Sequence, residues 1–120
     1  MEIKGQAVLL RIFVGESDKI GHLPLFEAIV KKAREQGLAG ATVLKGILGY
    51  GATRHMRTTK ILDLSADLPM VIEIVDEQAK VEAFQSICSE LIEQAGCGGL
   101  VTLENIRVIR YRHGNKPPAG

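Results

Sequence analysis

Two strand-length apolar runs constrain this chain more than any other feature: Ala7 to Val14 (AVLLRIFV), broken by a single arginine, and Leu68 to Asp76 (LPMVIEIVD). Neither alternates cleanly between apolar and polar residues, and neighbours such as Leu9-Leu10 and Val71-Ile72 place hydrocarbon on both sides of the pleat. Strands of that kind are expected to be buried on both faces. With 120 residues there is room for one domain and one such sheet, so each face must find a cover.

One face can be covered from within the chain. Pro24 suits the start of a helix, where no N–H donor is needed. Leu25, Phe26, Ile29, Val30 and Ala33 then recur at helical spacing, opposite Lys31, Lys32, Arg34 and Glu35, and Gly37 can end the helix in a left-handed cap. Asp76 stands where it could cap a second helix. The buried stripe of that helix is Val81, Phe84, Ile87, Cys88, Leu91, Ile92 and Ala95, and Gly96-Cys97-Gly98-Gly99 closes it.

The remaining segments read as strands. Gly40 to Leu48 (GATVLKGIL) is the second, and the LPMVIEIVD run is the third, with Pro69 tolerated at its start. Leu100 to Leu103 and Ile106 to Arg112 are two closing strands. The order β-α-β-β-α-β, with one further short strand, predicts an α+β ferredoxin-like sandwich with both helices on one face. A long loop from Gly49 to Asp67 separates the second and third strands; loops of that length are functional or mobile. A single domain over 1–114 with a disordered Pro/Gly tail at 115–120 is expected. No third helix covers the second sheet face, so oligomerisation is the economical answer.

Charge and composition narrow the function. Fifteen basic and 14 acidic residues give a net charge of +1, which provides no field for gathering nucleic acid. Aromatics are 4% of the chain, and Phe13 and Tyr111 are the strand candidates, too few for a base-stacking RNA-binding sheet. Cys88 and Cys97 form no C-x-x-C pair, which points to free thiols in the cytoplasm. No apolar run approaches the roughly 20 residues that span a bilayer, and no signal-peptide order opens the chain. His22, His55 and His113 lack the spacing of a metal site. No Walker motif, GxGxxG or nucleophile elbow is present, so a non-enzymatic role is expected.

Three features could carry binding. Gly96-Cys97-Gly98-Gly99 reads either as a helix cap with a tight turn or as a nest of backbone N–H groups for an anion. Arg110 and Arg112, two apart in Arg110-Tyr111-Arg112-His113-Gly114, would share one strand face; there they are either solvated or joined by a phosphate. The loop residues Gly49, Gly51, Arg54, His55 and Arg57 could close over an anion or enter a partner's groove. Glu73, set between Ile72 and Ile74, is read as pointing outward or pairing with an arginine.

From about Leu9 to Gly114 the chain resembles the PII signalling superfamily, and within it the uncharacterised bacterial PII-like branch. The strings that carry the branch resemblance are LLRIFVGE, PLFEAIVKKAREQGLAGATVLKGILGYG, and RHM followed by DLPMVIEIVDE. Against PII proteins themselves, GATVLKG is similar to the strand that enters the T-loop and VIEIVD to the third strand. GCGG stands in the B-loop place, and RYRHG resembles the last-strand Arg-x-Arg-x-Gly. This resemblance implies a homotrimer whose sheets pack inward, binding an adenine nucleotide (ADP, AMP or ATP) in clefts between subunits and requiring no further cofactor. A target protein, such as a membrane transporter or an enzyme, would be regulated through the long loop.

Carried over position by position, Thr42 and Gly46 would lie near adenine and ribose. Glu73, Ile74 and Val75 would line the base pocket, Gly96 and Gly98 would offer N–H groups to phosphate, and Arg110 and Arg112 would reach it from across the cleft. Gly99 and Pro69 stand where PII proteins have lysines. That favours AMP, ADP or a cyclic nucleotide over ATP unless Arg54, Arg57 or Lys60 compensates. The alternative is a CutA-like trimer, structural or metal-associated, without nucleotide sensing.

Overall fold

A computed structural model describes residues 5–59 and 67–115. Its centre is a four-stranded antiparallel sheet built from β1 (Gly5–Gly15), β4 (Ala41–Lys45), β7 (Pro69–Asp76) and β8 (Leu100–Val108), in the order β4-β7-β1-β8. The two apolar runs occupy the middle of the sheet and pair with each other, Leu10 opposite Ile74 and Ile12 opposite Ile72. That is the ferredoxin-like order anticipated from the sequence.

Helices α1 (Leu25–Glu35) and α2 (Gln78–Ala95) pack on one face of the sheet. The core between them holds Val8, Leu10, Ile12 and Val14 of β1 and Met70, Ile72 and Ile74 of β7 against Leu25, Ile29, Ala33, Val81, Phe84 and Cys88. Alternate residues of β1 and β7 therefore point into this core. The other set (Leu9, Arg11 and Phe13; Val71, Glu73 and Val75) faces away and is only half buried in the single chain.

Several local expectations are corrected. The closing segment forms one strand, β8, which ends at Val108 and does not continue to Arg112. Val108 pairs with Gly5, the first residue of β1, and beyond it the Tyr111 hydroxyl donates to Ala39 O, drawing the segment toward the start of β4. Asp76 is the last residue of β7 and not the helix cap; Glu77 holds that position. Pro24 does stand at the start of α1, as its N-cap, and is also the last residue of the short strand β3 (Leu23–Pro24), which pairs with β2 (Lys19–Ile20).

The GATVLKGIL segment is split. β4 stops at Lys45, and β5 (Leu48–Gly49) turns out of the sheet to pair with β6 (Arg57–Thr58). The segment read as a long loop thus starts as a hairpin. Lys60 and the rest of the loop up to residue 66 lie outside the described residues, as does the tail from 116 onward. Among the described residues, no helix is long and apolar enough to cross a membrane.

Candidate functional site

The expected binding residues fall into three groups, placed by the run of the strands. β4 and β1 end, and β7 and β8 begin, at the same end of the sheet. Gly46 leaves β4 there. Its N–H donates to Pro69 O at 2.7 Å, and a Cβ at this position would stand 2.7 Å from Pro69 Cγ, so only glycine lets the loop depart so close to β7.

The glycine turn lies at this end too. Gly96 is the left-handed cap of α2, at φ +67°, and its N–H is already taken by Glu93 O at 3.0 Å. Of the pair expected to offer N–H groups, Gly96 therefore serves the helix. Gly98 is exposed, with nothing within 4 Å of where a Cβ would stand. Gly99, at φ +112°, rests on β1, with Phe13 O 3.3 Å from the Cβ position.

Cys97, inside this turn, has its thiol pushed up to about 11 by burial and by the nearby carboxylate of Asp18. At pH 8 such a thiol holds on the order of 100-fold less thiolate than an ordinary cysteine. Alkylation by iodoacetamide, followed by mass spectrometry, is expected to be slower by about that factor than in the unfolded protein, and Asp18→Asn should recover part of the rate. Equal rates in folded and unfolded protein would contradict this placement.

The second group lies on the sheet face turned away from the helices. Thr42 is opposite Glu73, and Glu73 is opposite Arg11. Arg11 Nε donates to Glu73 Oε2 at 2.8 Å, and Arg11 Nη1 to Glu104 Oε2 at 3.4 Å. The hydrogen bond to Glu73 raises the already high pKa of Arg11. Glu73 thus pairs with an arginine, as anticipated. The Arg11–Glu73 rung crosses a largely apolar face, with Leu44, Val71, Phe13 and Leu100 aligned on one side and, on the other, Leu9 and Val75 level with Glu104. Val75 shares this face, whereas Ile74 points into the core at 0% exposure and can offer a ligand only its backbone.

The third group is at the far end. Arg110 and Arg112 follow β8 and are exposed, off any strand. Between them, the Tyr111 hydroxyl donates to Ala39 O, which fixes the segment beside the start of β4. Eight strand positions separate the β1–β8 pairs at the two ends, so these arginines lie about 27 Å from the glycine turn along the sheet. One copy of the chain does not bring the two groups together.

In the loop, Gly49 pairs with Arg57 at the hairpin base. Gly51 and Arg54 close its tip, Arg54 N–H reaching Gly51 O at 2.9 Å, with Arg54 in the left-handed region at φ +61°. His55 is exposed beside them, as are Ile47, Leu48, Tyr50 and Met56. The sequence reading missed the carboxylates Glu16, Asp18 and Asp67 gathered around Gly15; Glu16 pairs with Lys45, Asp67 with Arg57, and Asp18 accepts the Gly15 N–H. It also missed Arg11 as the partner of Glu73, although each is the lone charge interrupting its apolar run. Among the described residues, no group of three metal-ligating side chains is close enough to hold an ion.

Comparison with known proteins places this arrangement. The DUF190 family model, described as Uncharacterized ACR, matches residues 7–108. A UPF0166 protein of Aquifex aeolicus is 41% identical over 102 residues, covering 84% of this chain and 91% of its own length. A UPF0166 protein of Methanocaldococcus jannaschii is 33% identical over 105 residues, covering 88% and 94%. Among solved structures, CPII from Thiomonas intermedia, bound to ADP and bicarbonate, superposes with a TM-score of 0.64 at 18% identity, covering 90% of this chain and 91% of that one. A PII-like signaling protein from Thermus thermophilus gives 0.62 at 14% identity, covering 88% and 91%. CutA1 from Oryza sativa gives 0.50 at 11%, covering 93% and 85%. At these identities the structures speak for the fold alone, and the fold is PII-like.

Proposed function

The chain belongs to the DUF190 family and has a PII-like fold, and from that footing we propose that it is a PII-like signalling protein binding an adenine nucleotide between subunits. The observation that carries this reading is the split of the site. The glycine turn and the paired arginines lie at opposite ends of one sheet, so they can meet around a ligand only if different copies supply them. The half-buried apolar face gives those copies a reason to associate. A homotrimer is the assembly proposed, with three equivalent clefts.

The choice of ligand draws on the neighbours. CPII has been solved with ADP and bicarbonate, and with ADP, AMP and bicarbonate. In this chain Thr42, Glu73 and Val75, with the backbone of Ile74 and Gly46, would take the nucleoside. Gly98, Arg110 and Arg112 would take the phosphates. Regulation of a target protein through the hairpin carrying Gly49, Gly51, Arg54, His55 and Arg57 is part of the proposal, as are a cytoplasmic setting and a non-catalytic role.

Isothermal titration with ATP, ADP, AMP and cyclic AMP, alongside analytical ultracentrifugation, tests the reading. A trimer taking up one ADP per protomer is expected. A monomer in dilute solution removes the cleft, and a trimer that binds none of the four at millimolar concentration favours the CutA-like alternative.

A further inference from the structure

Both feet of the loop are tied to a single turn. Lys45 Nζ, at the end of β4, lies 2.7 Å from Glu16 Oε2. Arg57 Nη2, in β6, lies 3.5 Å from Asp67 Oδ2, and Asp67 Oδ1 accepts the Ser17 N–H at 2.7 Å. Glu16 and Ser17 are neighbours in the turn after β1. That turn is closed by Gly15 N–H donating to Asp18 Oδ2 at 2.7 Å, and it is braced by Glu16 N–H donating to Leu68 O at 2.9 Å.

The opposite side of the same turn meets the glycine turn. Asp18 faces Cys97, and Gly99 rests on the Phe13 carbonyl, two residues before Gly15. An anion at Gly98 would therefore arrive beside three carboxylates, Glu16, Asp18 and Asp67. The cations that neutralise two of them are Lys45, at the strand end that leads into the loop, and Arg57, within it. Glu16 and Lys45 are 30% and 52% exposed at their side chains, and Asp67 and Arg57 15% and 29%. The Glu16–Lys45 pair is open to water and holds weakly, and the more sheltered Asp67–Arg57 pair is long at 3.5 Å, whereas a guanidinium on phosphate makes short, charge-assisted bonds.

We propose that Lys45 and Arg57 are exchangeable latches: Glu16 and Asp67 hold them while the glycine turn is empty, and the ligand's phosphate draws them off when it is filled. This rests on the nucleotide reading above and deepens it. It makes these two cations, one at the root of the loop and one within it, the counter-charge of the phosphate in place of the lysines missing at Gly99 and Pro69. Occupancy is then reported to the loop by the residues that bind.

The test uses the full chain with Glu16→Gln and Asp67→Asn combined, near-isosteric changes that keep hydrogen-bonding capacity; unchanged circular dichroism verifies folding. Without ligand, trypsin cleavage in the loop is expected to speed up about tenfold, from the loss of two weak pairs. ADP affinity should rise by a similar factor, about tenfold, with two competing carboxylates gone. Arg57→Gln should weaken ADP while leaving adenosine, which lacks phosphate, unchanged. Cleavage at the unmodified rate in the double variant overturns the latch. Faster cleavage without tighter ADP binding, or equal loss of ADP and adenosine in Arg57→Gln, overturns the exchange. Should the unmodified protein bind no adenine nucleotide, the nucleotide reading fails and the exchange with it, and that result is told apart from a failed latch by the ligand-free cleavage.

Discussion

Replacing Arg110 and Arg112 together with alanine is expected to weaken ADP binding at least about 100-fold, because each charge-assisted bond to phosphate is worth roughly 1.5–3 kcal/mol. Neither residue lies in the core or on a strand, so the change should leave the melting temperature and the oligomeric state as they were. Adenosine affinity should change little. Titration calorimetry with ADP and adenosine in parallel reads both effects. If the double variant binds ADP like the unmodified protein, the phosphates are held elsewhere and the arginines are ordinary solvated surface. The position of this pair depends on the bond from Tyr111 to Ala39 O, so Tyr111→Phe should give a milder loss of the same kind.

The largest effect on stability should come from Asp76→Ala. Asp76 is 1% exposed, and its carboxylate accepts the Glu77 N–H at 2.7 Å and the Ala39 N–H at 2.8 Å. One side chain thereby ties the end of β7, the start of α2 and the connection between α1 and β4. Alanine removes the acceptor and strands both donors, at a cost of about 3 kcal/mol. At this chain length that corresponds to roughly 10 °C in melting temperature. Asn, which keeps one acceptor oxygen, should cost less. Melts compared at one fixed protein concentration measure it, since assembly would add to apparent stability. A loss under about 1 kcal/mol would mean that water replaces the carboxylate.

The fold was legible because periodicity changes cleanly along the chain. Helical spacing at Leu25 to Ala33 and Val81 to Ala95 is set between runs that suit only strands, and glycines stand where the helices stop. The doubly apolar runs also pointed to the half-covered face that the structure presents. Local propensity misled where pairing decides. The segment Ile106 to Arg112 alternates like a strand, but past Val108 the bond from Tyr111 to Ala39 O draws the chain toward β4 instead of along the ladder. Asp76 precedes a helix like a cap, yet its ladder position opposite Val8 keeps it in β7.

The site was legible to a different degree. Gly46 and the glycine turn could be found from composition, because close backbone approach and positive φ require glycine. The pairs Glu16–Lys45 and Asp67–Arg57 could not, because nothing in either segment states which residue will lie across from it. Arg11 and Glu73 are an intermediate case: two isolated charges in two apolar runs are natural partners once the runs are neighbours. The register that sets them side by side is a property of the sheet.

The cluster of Arg11 with Glu73 on its own rung and Glu104 on the next has a consequence for whatever comes to lie on that face. One guanidinium against two carboxylates leaves an uncompensated negative charge amid hydrocarbon. A purely oily lid would strip its hydration without giving anything back, a costly arrangement. Only a cover that carries donors of its own, or that admits water across these two rungs, can seat fully. The face is therefore selective about its occupant, because sliding the lid along the strands by a single residue would put grease against ions.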